Sequence, residues 1–111
     1  MEAAMAHRLL ETRLTWPGLE LRLLSALEAV AGAESFTGAA ARLGYTQSAV
    51  SSQVAALERA VGAILVDRSP GVRGVDLTPA GRILVRHAAA IRAHLDAARE
   101  EIESTRVSRP A

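Results

Sequence analysis

Apolar residues recur at helical spacing from Leu19 onward and predict two helices in quick succession. The first pattern repeats every three or four residues and stops at Gly32, as expected of a helix that buries one face. Its apolar residues are Leu23, Leu24, Leu27, Val30 and Ala31. A shorter helix follows, with Ser35 or Thr37 as its N-terminal cap and Gly44 as its left-handed end. Its apolar residues are Ala39, Ala40 and Leu43.

A third helix is predicted between Thr46 and Gly62, and its two faces differ in chemistry. Thr46 caps its start and Gly62 stops it. An apolar stripe recurs at intervals of four, three and four residues, through Val50, Val54, Leu57 and Val61. At about 100° per residue the opposite side carries Ser48, Ser51, Ser52 and Ala55. One face is therefore apolar, and the other is small, polar and uncharged.

After the third helix the pattern predicts a hairpin and then a long helix. Residues 64–66 read as a strand, residues 69–71 with Gly74 as a turn, and residues 75–77 as the return strand. Thr78 and Pro79 are a strong helix start, and the helix is predicted to run to about Ser104. Its apolar positions alternate by four and three residues, which is a heptad seam typical of paired helices. The predicted dimer interface consists of Leu84, Ala88, Ile91, Leu95, Ala98 and Ile102.

These elements predict a mainly α fold, namely a winged helix-turn-helix with a three-helix core, a two-stranded wing and a long C-terminal dimerisation helix. We divide the chain into a leader at 1–18, the winged domain at 19–78, the linker helix at 79–104 and a flexible tail at 105–111. The leader has only a weak helical pattern before Pro17 and Gly18 break it.

Composition narrows the class of protein further. The 111 residues suit one domain, and the absence of cysteine excludes disulfides and thiolate metal sites. No apolar run approaches the roughly 20 residues needed to span a bilayer, and the N-terminus does not resemble a signal peptide, so we expect a cytoplasmic protein. The net charge is +1, and all 13 basic residues are arginine. Arginine suits phosphate and guanine, although GC-rich codon usage explains the bias more simply.

The second and third helices, joined by a turn at 44–46, form a helix-turn-helix, and this motif predicts binding to double-stranded DNA. The second helix of the motif enters the major groove, and its early residues meet base edges. Here those residues are Gln47, Ser48, Ser51 and Ser52. Glutamine can pair with adenine in bidentate fashion, and serine can bond to a base or a phosphate. Any one serine is more simply a solvated surface residue, but together they favour a DNA-reading face.

Other candidate contacts have a structural and a functional interpretation. Thr37 and Thr46 are caps whose helix ends can also bind phosphate. Gln53 flanks the serine face and either reaches a phosphate or is plain surface. Arg68 either enters the minor groove from the wing or pairs internally with Glu58. Arg73, between two glycines near the tip of the wing, is predicted to face DNA.

Catalytic and metal-binding patterns are not evident in the sequence. His87 and His94 lie seven residues apart on the last helix and lack a third ligand at suitable spacing, so we interpret them as surface residues. We find no Ser-His-Asp array, phosphate-binding loop or paired-carboxylate cleft. We therefore expect no metal, no cofactor and no enzymatic activity.

The stretch from Leu19 to about Ile102 resembles the N-terminal DNA-binding domain of LysR-type transcriptional regulators. The resemblance rests on an ordered series of motifs: residues 35–40 (SFTGAA), Leu43, residues 46–54 (TQSAVSSQV), residues 57–58, Gly62, Leu65, Arg68 and residues 77–81 (LTPAG). It implies a winged helix-turn-helix whose linker helices pair antiparallel in a homodimer. It also implies an inverted-repeat site, with Gln47, Ser48, Ser51 and Ser52 as groove readers and Arg68 and Arg73 as wing contacts.

The chain departs from the family pattern at three positions and in length. Val66 stands where the family usually has phenylalanine, Ser48 where many members have proline, and Ser52 where many have arginine. The last change removes a basic contact. Family members also carry a large effector-binding domain, whereas here about one helix follows the wing. We therefore expect no small-molecule effector in this chain, which is either a fragment or a stand-alone module.

Two alternatives to a dimeric DNA-binding regulator remain open at this stage. One is a helix-paired protein-interaction module that captures a protein partner in mixed dimers. The other is a stand-alone regulator resembling the DNA-binding half of molybdate-responsive regulators. The serine face on the third helix favours DNA binding, because a module that only dimerises does not need it.

Overall fold

A computed structural model describes residues 14–69 and 74–107 of the chain. The described part contains four helices and one two-stranded sheet in the predicted order, and it confirms the winged helix-turn-helix. The elements are α1 (Leu21–Ala33), α2 (Phe36–Leu43), α3 (Gln47–Val61), β1 (Val66–Asp67), β2 (Asp76–Leu77) and α4 (Pro79–Val107).

The core lies among the first three helices and is built from aliphatic side chains alone. In α1 the buried residues are Leu23, Leu24, Ala26, Leu27 and Val30. They pack against Ala39 and Ala40 of α2 and against the buried stripe of α3. Because alanine leaves little side-chain volume between helices, α2 packs closely against α1 and α3 and fixes the angle of the motif.

The helix ends show where the sequence prediction was right and where it was wrong. Gly44 and Gly62 end α2 and α3 with φ of 71° and 74°, as predicted. Gly32, however, does not end α1. The helix continues to Ala33, and Glu34 takes the left-handed conformation at φ 56°. Its carbonyl oxygen then accepts a hydrogen bond from the backbone N–H of Val75, at 3.2 Å, which ties the start of β2 to the end of α1.

The wing is a minimal antiparallel hairpin. Each strand has two residues: the first was predicted at 64–66 and is shifted to Val66–Asp67, and the second was predicted at 75–77 and is shortened to Asp76–Leu77. The register pairs Val66 with Leu77 and Asp67 with Asp76. Val66 is buried against the core, although it is smaller than phenylalanine. The two aspartates face each other across the ladder, and like charges in that position weaken a strand pair. The wing therefore depends on contacts with the helices more than on its own pairing.

Helix α4 begins directly at the base of the wing. The Thr78 hydroxyl accepts from the Gly81 N–H at 3.0 Å, which is the predicted cap, and donates to the Ile64 carbonyl at 2.6 Å. A Cβ at Gly81 would collide with the Leu65 carbonyl oxygen. α4 thus crosses the chain at Leu65, directly before β1, so closely that only glycine fits at position 81. It ends at Val107, three residues beyond the predicted end. No helix in the described ranges is long and apolar enough to cross a membrane.

The segment before α1 packs along the C-terminal end of α3. The indole N–H of Trp16 donates to the Ala60 carbonyl at 3.0 Å. Gly18 lies over Ala60, where an added Cβ would come within 3.3 Å of the Ala60 Cβ. The weak helical pattern of the leader falls mostly on residues 1–13, which lie outside the described residues, and residues 14–20 are not helical.

Candidate nucleic-acid interface

Helix α3 is anchored inward by its apolar stripe. Val50, Val54 and Leu57 are fully buried. The Thr46 hydroxyl caps the helix by accepting from the Ala49 N–H at 3.1 Å. A capped N-terminus and a buried stripe together fix both the axial position and the rotation of the helix. Whatever lies on the opposite side is therefore presented in a defined orientation.

The side of α3 opposite the buried stripe is polar and open to solvent. Ser48 and Ser52 are exposed there and Ser51 is half-buried, while Gln47 is exposed beside them in the first turn of the helix. No charged residue occurs in the first turn of α3. Small hydroxyl and amide groups on an exposed helix of this kind can approach base edges closely and either donate or accept hydrogen bonds.

Thr37 lies beside this face and contacts one of its members. Ser35, not Thr37, caps α2, since its hydroxyl accepts from the Gly38 N–H at 2.9 Å. The Thr37 hydroxyl instead donates to Gln47 Oε1 at 3.3 Å. Both side chains are exposed, so the contact lies at the surface where α2 and α3 meet. Sequence reasoning placed the two residues in one site but did not foresee their contact.

Gln53 lies at the edge of the serine face and is less exposed than Gln47, Ser48 and Ser52, and its role as a phosphate contact stays a prediction. It lies three residues after Val50 and four before Leu57, and this helical spacing turns it toward the buried side. The residue is half-buried, and its Oε1 atom is fully buried without a hydrogen-bond partner among the described residues.

Arg68 makes two contacts with its own chain. Its guanidinium lies 3.9 Å from Glu58 Oε1 and 4.9 Å from the centre of the Phe36 ring. The internal ion pair considered from the sequence is therefore present, yet 44% of the Arg68 side chain remains exposed. Arg68 joins the wing to α2 and α3 while one side of it stays open. Arg73 lies outside the described residues.

Glu58 has a structural role that sequence reasoning missed. It is the one charged residue that is buried within the described ranges, at 8% exposure. Its Oε2 accepts from the backbone N–H groups of Leu65, at 2.8 Å, and Val66, at 3.3 Å. A buried carboxylate needs such donors because desolvation otherwise disfavours the charge. The signal in the sequence was an acidic residue directly after buried Leu57, on the inward side of α3.

The wing carries one carboxylate with a shifted pKa. The hydroxyl and the backbone N–H of Ser69 lower the pKa of Asp67 below its usual value, since both hydrogen bonds favour the charged form. The backbone bond is 2.9 Å long. Asp67 therefore stays ionised next to Arg68, and this reduces the positive charge at the base of the wing.

The winged domain has an unusual charge balance for a nucleic-acid partner. Residues 19–78 contain five arginines and six carboxylates, a net charge of −1. The arginines are Arg22, Arg42, Arg59, Arg68 and Arg73. Arg22 is paired with Glu20 at 3.0 Å, in addition to the pairing of Arg68. Contacts to a polyanion here must therefore rely heavily on hydroxyl and backbone N–H donors.

The predicted seam of α4 divides into two parts. Ala88 is 3% exposed and Leu84 is half-buried, so these two side chains pack inside the chain, against the three-helix core. This revises the predicted interface, because the first turns of α4 lie on the core. Beyond them Ile91, Leu95 and Ile102 are 38%, 47% and 56% exposed. A line of exposed aliphatic side chains on one helix is typical of an interaction surface.

This apolar line continues into a groove between α1 and α4. Leu21 of α1 is 52% exposed and lines the groove together with Ile91 and Leu95. The Arg92 guanidinium crosses the same groove to Glu28, with Nη2 and Oε2 at 3.2 Å, and this carboxylate raises the pKa of Arg92. The ion pair joins the middle of α4 to α1, and Ile91 and Leu95 stay exposed beside it.

The two histidines lie away from any ligand cluster. His87 and His94 are exposed on α4. Within the described ranges, no group of three or more His, Cys, Asp or Glu residues is arranged to hold a metal ion.

The three packed helices, the short wing and the exposed polar face of α3 define the class: a winged helix-turn-helix DNA-binding domain. The sequence profile described as "Bacterial regulatory helix-turn-helix protein, lysR family" matches residues 21–82. The chain belongs to this family. The family consists of transcriptional regulators, which are not enzymes.

Curated relatives agree with the profile. The HTH-type transcriptional regulator ShiR of Corynebacterium glutamicum is 42% identical over 86 residues, which cover 78% of this chain and 28% of ShiR. BudR of Raoultella terrigena is 45% identical over 83 residues, covering 75% of this chain and 28% of BudR. The chain thus spans little more than a quarter of the length of these relatives.

Solved structures include domains bound to DNA. The crystal structure of the CbnR DNA-binding domain with DNA has a TM-score of 0.68 and 34% identity, covering 82% of this chain and all of that one. The complex of the BenM DNA-binding domain with benA site 1 DNA has a TM-score of 0.76 and 31% identity, again covering 82% of this chain and all of that one.

Proposed function

We propose that this chain is the DNA-binding module of a cytoplasmic transcriptional regulator and binds double-stranded DNA as a homodimer. Each protomer places α3 in the major groove, and the two protomers together take an inverted repeat. The observation that carries the proposal is the exposed polar face of α3, opposite a fully buried stripe. Further support comes from the similarity of the chain to DNA-binding domains whose structures were solved in complex with DNA.

In this proposal Gln47, Ser48, Ser51 and Ser52 meet base edges. Their side chains are short, so α3 lies deep in the groove, and amide and hydroxyl groups match the donors and acceptors found there. Thr46 leaves the N-terminal backbone N–H groups of α3 available to a phosphate. Arg68 uses its open side toward the backbone or the minor groove, and Arg73 is assigned to the wing tip.

Selection of bound sites from a random duplex pool tests the proposal. We expect the chain to enrich an inverted repeat, and Gln47→Ala and Ser51→Ala to relax the preference at specific base pairs while binding persists. Ser104→Ala makes the same kind of change on the exposed surface of α4 and should leave the selected site unaltered. If Gln47→Ala and Ser51→Ala both select the same site as the unmodified chain, α3 does not read the bases as assigned.

The homodimer is proposed to form through the exposed part of α4. Ile91, Leu95 and Ile102 supply the apolar line, with Ala98 between them as the small residue that lets helices approach. Leu95→Glu should place a charge in this line and yield monomers in sedimentation. Ile64→Glu changes an exposed aliphatic residue outside α4, 65% exposed against 47% for Leu95, and should leave the protein a dimer. An unchanged mass for Leu95→Glu would remove this surface from the proposal.

A further inference from the structure

An apolar groove lies where α3 ends and α4 begins. It is open to solvent and encloses about 200 Å³. Its lining residues are apolar, among them Trp16, Val61, Ala63, Leu65, Ala80 and Ile83. Trp16 and Ile83 are about half exposed, and Ile64, which lies between two lining residues in sequence, is also exposed. Large apolar side chains grouped in this way are typical of a surface that another element covers.

This groove is distinct from the surface proposed for the homodimer. Ile83 lies eight residues before Ile91 on α4, about 12 Å along the helix and about 80° around it. The groove between α1 and α4, which Leu21, Ile91 and Leu95 line, has no lining residue in common with it. Pairing of two chains through α4 therefore gives no reason for an apolar groove at Ile83.

The N-terminal segment of the chain leads directly to this groove. The indole N–H of Trp16 donates to the Ala60 carbonyl at 3.0 Å, and the Leu19 N–H donates to the Trp16 carbonyl at 2.9 Å. Trp16 is thus fixed as one wall of the groove at the end of α3. Leu14, two residues earlier, is fully exposed. Residues 1–13 therefore join the described part of the chain at the edge of the groove.

Residues 1–13 have the composition of a segment that covers an apolar surface. Seven of the 13 residues are apolar, and Met5, Leu9 and Leu10 are the long ones among residues 2–13. The charged side chains are two arginines and two glutamates, and their formal charges cancel. A segment without net charge gains little from the phosphates of DNA, whereas burial of its leucines in an apolar groove is favourable.

We propose that residues 1–13 fold back over this groove and pack their apolar side chains against Trp16 and Ile83. The occupant is a segment of the same chain, and the anchored Trp16 holds it close to the groove. Such a cover joins the end of α3 to the start of α4. It uses no residue of the face assigned to DNA, so the inference stands apart from the proposed function.

The fluorescence of Trp16, the single tryptophan, reports whether the groove is covered. In the full chain, we expect Leu9→Gln with Leu10→Gln to raise the quenching of Trp16 by acrylamide and to shift its emission to longer wavelength. Arg8→Gln with Glu11→Gln is the matched control, because it also introduces two glutamines and neither pair changes the net charge. The control should be quenched as the unmodified chain is. Equal quenching of all three proteins would overturn the inference.

Disulfide formation gives an independent test, because the chain contains no cysteine. In the full chain, Leu9→Cys is combined with Ile83→Cys in the groove or with Tyr45→Cys at the opposite end of α3. The two partner positions are 51% and 49% exposed. α3 is about 22 Å long, and seven extended residues before Trp16 span up to about 24 Å, so a segment without a fixed place would reach both cysteines. We expect a disulfide within one chain with Ile83→Cys and little with Tyr45→Cys.

The masses of the oxidised products under denaturing conditions separate the possible occupants. Disulfides between two chains at Ile83→Cys would show that a second copy fills the groove. Equal yields of the two disulfides within one chain would show that residues 1–13 have no fixed place there. No disulfide at Ile83→Cys would show that they lie elsewhere. Each of these three results would overturn the inference.

Discussion

Glu58→Ala tests whether a buried carboxylate holds the base of the wing. The side chain is 8% exposed and reaches from α3 to the backbone of Leu65 and Val66, where the wing begins. Its Oε2 accepts from Leu65 N–H at 2.8 Å and from Val66 N–H at 3.3 Å. Truncation to alanine removes both acceptors, and water has little access to the two donors because Leu65 and Val66 are themselves buried.

The expected loss of stability follows from these two donors. A buried donor left without an acceptor costs about 1–3 kcal/mol, and the longer contact counts for less than the shorter one. The sum is about 2–4 kcal/mol. The ion pair with Arg68 adds less than about 0.5 kcal/mol, because 3.9 Å is long and the guanidinium is partly solvated. Against a total of roughly 5–10 kcal/mol for a domain of this size, the loss is large.

Urea unfolding measures the loss directly, followed by circular dichroism and by the fluorescence of Trp16, the single tryptophan. Glu58→Gln keeps one oxygen acceptor and should lose about half as much as Glu58→Ala. Amide exchange at Leu65 should accelerate in both variants. The reasoning fails if Glu58→Ala stays within about 0.5 kcal/mol of the unmodified chain, or if Arg68→Ala loses as much, since then the ion pair and not the backbone acceptor matters.

Three further predictions concern the helix contact at the wing, the wing carboxylate and the salt dependence. Gly81→Ala should destabilise the domain by about 1–3 kcal/mol in urea unfolding, because its Cβ meets the Leu65 carbonyl; no loss would show that α4 is free to shift. Ser69 lowers the pKa of Asp67, so this contribution to stability is present above a pH of about 4 and disappears as the pH falls through the lowered pKa. Asp67→Asn should therefore make the thermal midpoint depend less on pH below about 4. An unchanged dependence would contradict the assignment. Finally, because the proposal gives each protomer at most two arginine contacts to phosphate, the slope of log affinity against log salt should be about −2 to −4 for a dimer, and a slope near −8 would refute this.

Much of the fold could be predicted because periodicity and capping residues agree along the chain. Residues 47–61 alternate buried and exposed sides as the spacing predicts, and Thr46, Gly44 and Gly62 mark boundaries that the structure keeps. The end of α1 was missed because Gly32 is a strong stop signal on its own, whereas the left-handed turn at Glu34 depends on the backbone of the return strand. That contact joins residues far apart in sequence, which no local pattern reveals.

The candidate site was less predictable, since it depends on which groups meet in space. Gln53 lies at the edge of the serine face by helical spacing, and the burial of its Oε1 atom depends on neighbouring helices that spacing alone does not reveal. Ala88 fits the heptad seam by spacing, but it is buried in the core of its own chain. The heptad pattern does not distinguish an apolar side chain that faces the core from one that faces a partner. The meeting of Thr37 with Gln47 depends on the crossing of α2 and α3.

Both peptide groups of Leu65 are hydrogen-bonded, one to α3 and the other to the start of α4, and this couples the two helices. Its N–H is bound by Glu58 of α3, and its carbonyl accepts from Thr78 N–H, at 3.0 Å, where α4 starts. Leu65 thus connects α3 to the start of α4 through two hydrogen bonds of its own peptide groups. A tilt of one helix is therefore expected to tilt the other. In a paired assembly, the angle at which two long helices cross would then dictate how far apart, and at what twist, two stretches of duplex can be engaged together.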